Sequence, residues 1–186
     1  MSLKAKLVSS VAAFMLVVAL MVVGIFAASS GTINMGGSIT FTATDVVGKV
    51  DLLTDGNSGD EVSKTTGNFD ATTQTIAFNW TTAGSNGVDL VFVKGQDITV
   101  KITVTNSATD RDMYVKFTNL PEILTGENVS VSGVTYGDSK NVTEGTAIEV
   151  SHEAPVVFSF TFSVDSDNLG VTATWSAAMT LSNTNA

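Results

Sequence analysis

Two hydrophobic patterns follow one another along the chain. From Leu7 to Ala28 the sequence is apolar for some 22 residues, broken only by Ser9, Ser10 and Gly24, and Lys4 and Lys6 precede it. A short positive region ahead of a long apolar run is the pattern of an export leader. After Ser29-Ser30-Gly31 the period becomes two, as in strands with one buried face. Ile39, Phe41 and Ala43 alternate with Ser38, Thr40, Thr42 and Thr44, and a second run extends from Val46 to Leu53. Thr54 to Thr73, which contains Asp55-Gly56-Asn57-Ser58-Gly59-Asp60-Glu61, has no apolar period and predicts a long exposed loop. Ile76, Phe78 and Trp80 then alternate again, and Ala83-Gly84-Ser85-Asn86-Gly87 predicts a hairpin turn into Val88 to Val93.

The cleanest alternation lies between Gln96 and Asn106, where Ile98, Val100, Ile102 and Val104 face one way and Thr99, Lys101, Thr103 and Thr105 the other. Met113, Val115 and Phe117 repeat it after the polar stretch Ser107 to Asp112. This predicts that the two strands pair, with Leu120-Pro121 ending the pair. Val129 to Thr135 and Thr146 to Val150 are weaker strands on either side of the turn-rich Tyr136 to Gly145. Two strong strands close the chain: Val156, Phe158, Phe160, Phe162 and Val164 share one inward face, and Val171, Ala173, Trp175, Ala177, Met179 and Leu181 share another. About nine or ten strands at short spacing, with no helical period after the leader, predict an all-β fold. The architecture expected is an antiparallel β-sandwich, jelly-roll-like or immunoglobulin-like, preceded by an N-terminal hydrophobic leader helix. Residues 1–28 would be the targeting segment, 29–44 an N-terminal strand and 45–186 the sandwich.

Composition agrees with a β-rich exported domain. Only 15% of residues are charged, cysteine is absent, and the net charge is −9. Loss of Lys4 and Lys6 with the leader leaves 7 basic against 18 acidic residues, or −11. Such a surface repels phosphate and anionic lipid, so nucleic acid is not an expected partner, and membrane contact is expected only through the leader before cleavage. The missing cysteines exclude disulfides and thiol chemistry, which leaves packing and hydrogen bonds to hold a secreted fold together. Ile25-Phe26-Ala27-Ala28-Ser29 offers a signal-peptidase site after Ala27 or Ala28. Two alternatives stay open: an uncleaved anchor, since about 20 apolar residues span a bilayer, and a pilin-type leader cut near Lys6 that retains the apolar helix.

No residue set specifies catalysis. His152 is the sole histidine, and in Ser151-His152-Glu153 adjacent strand residues point to opposite faces and cannot make a triad among themselves. Calcium is a candidate cofactor on loop oxygens: Asp55, Asn57, Asp60 and Glu61 in one segment, Asp165, Asp167 and Asn168 in another. The same residue types also make ordinary turns, and the first segment does not follow the spaced twelve-residue calcium loop. Trp80, Trp175 and Tyr114 could stack on sugars, but both tryptophans lie in phase with apolar neighbours and are expected in the core.

The segments Gly24-Ile25-Phe26-Ala27-Ala28, Gly31-Thr32-Ile33-Asn34-Met35, Ile39-Thr40-Phe41-Thr42-Ala43-Thr44-Asp45, and the central Lys94-Gly95-Gln96-Asp97-Ile98 to Val104-Thr105-Asn106 carry a resemblance. In their order the chain resembles the TasA and camelysin family of secreted biofilm-matrix fibre and bundling-pilus subunits. Lys94-Gly95-Gln96-Asp97 departs from the Pro-Gly-Asp form of that family. The resemblance implies a non-enzymatic, secreted jelly-roll subunit that polymerises head to tail with copies of itself, accessory fibre subunits being further possible partners. Its mature N-terminal strand would insert into the next subunit, and Ser29 to Thr44 is the candidate donor, with Ile33, Met35, Ile39 and Phe41 as contacts and Gly36-Gly37 as a flexible break. The alternatives are an intramolecular role for that strand in a monomeric secreted or surface-anchored module that binds carbohydrate or protein, and a type IV pilin-like subunit.

Overall fold

The computed structural model describes residues 32–44, 48–55, 61–67, 75–80, 90–93, 97–126, 128–164 and 172–185. The leader and the cleavage positions Ala27 and Ala28 lie outside them. Among the described residues no helix is long and apolar enough to cross a membrane.

Every regular element among the described residues is a strand. In chain order they are β1 (Thr32–Thr44), β2 (Gly48–Asp55), β3 (Glu61–Gly67), β4 (Thr75–Trp80), β5 (Leu90–Val93), β6 (Ile98–Asn106) and β7 (Met113–Thr125). There follow β8 (Val129–Val131), β9 (Thr135–Tyr136), β10 (Lys140–Asn141), β11 (Ala147–Val150), β12 (Val156–Val164) and β13 (Thr172–Ser182). They form two sheets. The first runs β11-β7-β13-β1-β4, with β5 also on β1; the second runs β10-β9-β12-β6-β2-β3, with β8 also on β12.

Both sheets turn their period-two apolar faces toward one core, as in a β-sandwich. Ile98, Val100, Ile102 and Val104 of β6, Phe158, Phe160, Phe162 and Val164 of β12, and Ala173, Trp175, Ala177, Met179 and Leu181 of β13 are all buried. Aromatic rings bridge the sheets: Phe117 on β7 meets Phe158 on β12 edge-on at 5.5 Å between ring centres.

The pairings depart from the sequence expectations at several points. β6 and β7 do not pair with each other; β6 sits between β2 and β12, and β7 between β11 and β13 in the opposite sheet. The Ser107–Asp112 connection therefore crosses between sheets. β4 and β5 do not form a hairpin pair: they lie end to end along the same side of β1, β5 opposite Thr32–Met35 and β4 opposite Gly37–Thr42. Within the expected loop Thr54 to Thr73, residues Glu61–Gly67 form β3, an edge strand paired to β2. Leu120-Pro121 does not end β7. The ladder to β13 shifts register there, Asn119 facing Ala178 and Glu122 facing Ser176. That bulge leaves proline, which has no N–H, with no partner to satisfy. Finally, the sheets are not wholly antiparallel, because β1 runs parallel to β13.

Candidate assembly site along the N-terminal strand

β1 fills a central slot in the first sheet, between the last strand of the chain on one side and β4 and β5 on the other. Its inward positions are Met35, Gly37, Ile39, Phe41 and Ala43, and the four with side chains are essentially inaccessible. Removing each of the three large ones from water contributes about 1.5–3 kcal/mol.

The parallel ladder sets inward residue against inward residue. Met35 lies opposite Ala173, Gly37 opposite Trp175, Ile39 opposite Ala177, Phe41 opposite Met179 and Ala43 opposite Leu181. The first three are alternations of large against small, which is how a close-packed interior is filled without voids. Across the slot Ile39 pairs with Phe78 and Phe41 with Ile76 on β4, and the Phe41 and Phe78 rings meet edge-on at 5.8 Å. Gly37 is a seat. A Cβ built there would overlap the Trp175 indole at Nε1, Cδ1 and Cε2.

All of these contacts reach strands distant in sequence. Withdrawal of β1 would leave β13, β4 and β5 with unpaired backbone along a cleft floored by Trp175, Phe78 and Met179. A strand of matching pattern can refill such an edge.

Of the residues expected at this site, Met35, Ile39 and Phe41 come together in the slot within their own subunit. Ile33 stands opposite Phe92 of β5 in the backbone ladder. Asp55 and Glu61 face each other across the β2–β3 ladder. Asn57, Asp60, Asp165, Asp167 and Asn168 lie outside the described residues. Among those described, no three His, Cys, Asp or Glu side chains cluster so as to hold a metal.

Elsewhere, the described residues present two clefts and one Ser-His-Glu run. Ser151 donates from Oγ to Glu149 Oε1 at 3.1 Å, while His152 Nε2 stands 3.6 Å from Glu153 Oε1, so serine and histidine are turned to different partners. An open cleft of about 470 Å³ lies between the β9–β10 turn and the start of β12, lined by Tyr136, Asp138, Pro155 and Val157 among others. Lys140 Nζ sits 5.9 Å from the Tyr136 ring centre and occupies one face of that aromatic. Tyr114 borders a smaller cleft of about 170 Å³ with Lys116, Thr180 and Ser182. Trp175 is core, as its phase indicates.

Two residues have roles that the sequence pattern did not indicate. Gly37 is readable in retrospect as a glycine in phase with Met35 and Ile39, hence at an inward position. Asn106 is the other: it ends β6, is buried, donates from Nδ2 to the carbonyls of Arg111 (2.9 Å) and Val150 (3.1 Å), and accepts from the Ala108 amide (2.9 Å). No protein-family model matches the chain, and no curated protein matches it.

Proposed function

We propose that this chain is an extracellular structural protein, the subunit of a biofilm-matrix fibre or pilus-like filament, secreted by its apolar leader and assembled by exchange of β1 between copies. In this reading the sandwich is of jelly-roll type and needs no cofactor, and the resemblance to TasA and camelysin proteins points the same way.

The observation that carries the reading is the placement of β1. It follows the apolar leader directly, closes no hairpin, and fills a central slot beside the last strand. The same contacts can be made by the subunit's own strand or by a neighbour's. A donor strand that always reaches forward generates a head-to-tail interface, which propagates instead of closing. Exchange conserves the slot contacts, so its direction depends on effective concentration and on whatever subunit–subunit surface is gained.

Electron microscopy of purified protein with and without residues 29–37 tests this. Fibres are expected from the intact mature chain and not from the deletion; fibres that persist unchanged after deletion overturn the exchange mechanism. A second reading, a monomeric binding module, is favoured by the intramolecular pairing of β1 and by the Tyr136 cleft. A stable monomer at high concentration on size-exclusion chromatography, retained on a polysaccharide, would support it. A pilin-like subunit would instead show a mature N-terminus near Leu7 by mass spectrometry, where cleavage at the leader's end leaves Ala28 or Ser29.

A further inference from the structure

We propose that Gly37 is the specificity-determining residue of the β1 slot, acting as the seat for the Trp175 indole and so fixing which strand, in which register, the slot accepts. For strands arriving from a neighbouring copy this rests on the exchange reading above; within one subunit it does not.

Three observations carry it. Trp175 is buried to 1% exposure, and its indole is wedged against Phe160 and Phe162 of the facing sheet at 5.6 and 5.0 Å between ring centres. The ring therefore cannot swing toward the second sheet to make room. A side chain at position 37 would overlap three atoms of that ring, so its space is already filled from β13. Position 37 is also the glycine in an inward series that is otherwise Met35, Ile39, Phe41 and Ala43.

Register follows from this. A slip of one residue turns every apolar side chain of β1 to the outer face. A slip of two, which preserves the faces, brings either Met35 or Ile39 onto Trp175 in place of Gly37. Neither fits while the indole keeps its position. The slot thus selects an extended segment of the form apolar-x-Gly-x-apolar-x-aromatic-x-small, laid parallel to β13. Within this chain that segment is Met35 to Ala43, so the partner specified is β1 itself, its own or that of a second copy. Gly36-Gly37 is accordingly more than a flexible break, because the second glycine is required by packing.

A double-mutant cycle on the mature full chain, read by thermal unfolding, tests the assignment. Gly37→Ala is expected to lower the midpoint by about 5–10 °C, the size of an overpacked core in a domain of this length. In a Trp175→Leu background, whose side chain ends short of Nε1 and Cε2, the same change is expected to cost less than half as much. Ser38→Ala, one residue away and outward, serves as control and is expected to shift the midpoint little. A Gly37→Ala cost that is absent, or equal in both backgrounds, overturns the key. Should Gly37→Ala alone fail to fold, a double variant that folds like Trp175→Leu supports the key, and one that stays unfolded overturns it. The cycle reads monomer and polymer alike, so it can succeed where the 29–37 deletion shows that filaments do not depend on β1, and fail where they do.

Discussion

β1 and β6 are both central strands with a buried apolar face, yet they are held in place differently. β6 is fixed along the chain. It pairs antiparallel with β2 and β12, and its last residue, Asn106, ties together three backbone segments: the following turn at Ala108, the approach to β7 at Arg111, and the end of β11 at Val150. β1 is fixed by shape. It presents Met35, Ile39, Phe41 and Ala43 to the core, lets Trp175 in at Gly37, and runs parallel to the strand farthest from it in sequence. Burial alone would rank the two as equals. Their anchoring separates them: β6 is tied by buried hydrogen bonds at a sheet-crossing turn, whereas β1 is held by side-chain fit, which in the proposed exchange reading an identical strand from another molecule would reproduce.

The largest effect is expected from emptying the slot. Phe41→Ala removes the ring that meets Phe78 and should cost about 3–5 kcal/mol, a large part of the stability of an ordinary domain. Chemical denaturation measures it, and the same variant should assemble poorly, because the missing side chain is missing from the slot whichever copy supplies the strand. Ile102→Ala in β6 should cost a comparable amount, about 2–5 kcal/mol, through its own cavity. If β1 were only loosely seated, Phe41→Ala would fall well below Ile102→Ala, and the comparison would fail. Next is the anchor of β6. Asn106→Leu removes three hydrogen bonds and leaves the Ala108 amide and the Val150 carbonyl buried without that partner, an expected loss of about 2–4 kcal/mol. Amide hydrogen exchange should show faster opening at Ala108 in the variant while the β1 ladder stays protected; loss of protection at β1 instead would contradict the separate anchoring of the two strands.

The faces of these strands were legible in the sequence, and their neighbours were not. Period two assigns Ile98, Val100, Ile102 and Val104 to one side and does so correctly, because burial repeats every second residue whatever strand lies alongside. It carries no information on pairing. Two adjacent alternating runs, 96–106 and 113–117, therefore suggest a hairpin where the chain in fact crosses to the other sheet. β3 escaped notice because Glu61–Gly67 has a single apolar residue, Val62, and an edge strand needs no apolar alternation to pair its backbone. Pro121 pointed to a strand end, and a bulge accommodated it within β7. At the slot, Met35, Ile39 and Phe41 follow from phase, whereas Gly37 reads as a flexible break until the indole above it is seen. A parallel pairing of first and last strands leaves no local trace, since the partners are more than 130 residues apart.

Smaller changes sharpen the account of β6. On its outer face Thr99 Oγ1 lies 3.1 Å from Thr161 Oγ1 on β12, and Thr99→Val should cost no more than about 0.2–1 kcal/mol, the range of a cross-strand pair. A larger loss in denaturant would mean that side-chain hydrogen bonds on the sheet surface, and not Asn106, fix the strand.

The smallest effect concerns the turn that Asn106 braces. Asp110 takes two bonds from Arg111, Nε at 3.2 Å and Nη2 at 3.1 Å, and these, with the charge of the guanidinium and a backbone hydrogen bond, hold its carboxyl below the usual carboxylate range. A depressed folded-state value means that the pair's contribution is present above the unfolded pKa, about 3.9, and is lost as the pH falls through the folded one. The carboxylate is fully exposed, so water and salt screen the pair and its share of stability is slight. The measurable consequence is local. A carboxyl titration followed by NMR should place Asp110 below the usual carboxylate range, and Arg111→Gln should move Asp110 upward while leaving the unfolding midpoint near neutral pH almost unchanged. A substantial midpoint loss in Arg111→Gln would show that the guanidinium, and not the buried amide of Asn106, carries the turn that sends the chain from β6 across to β7.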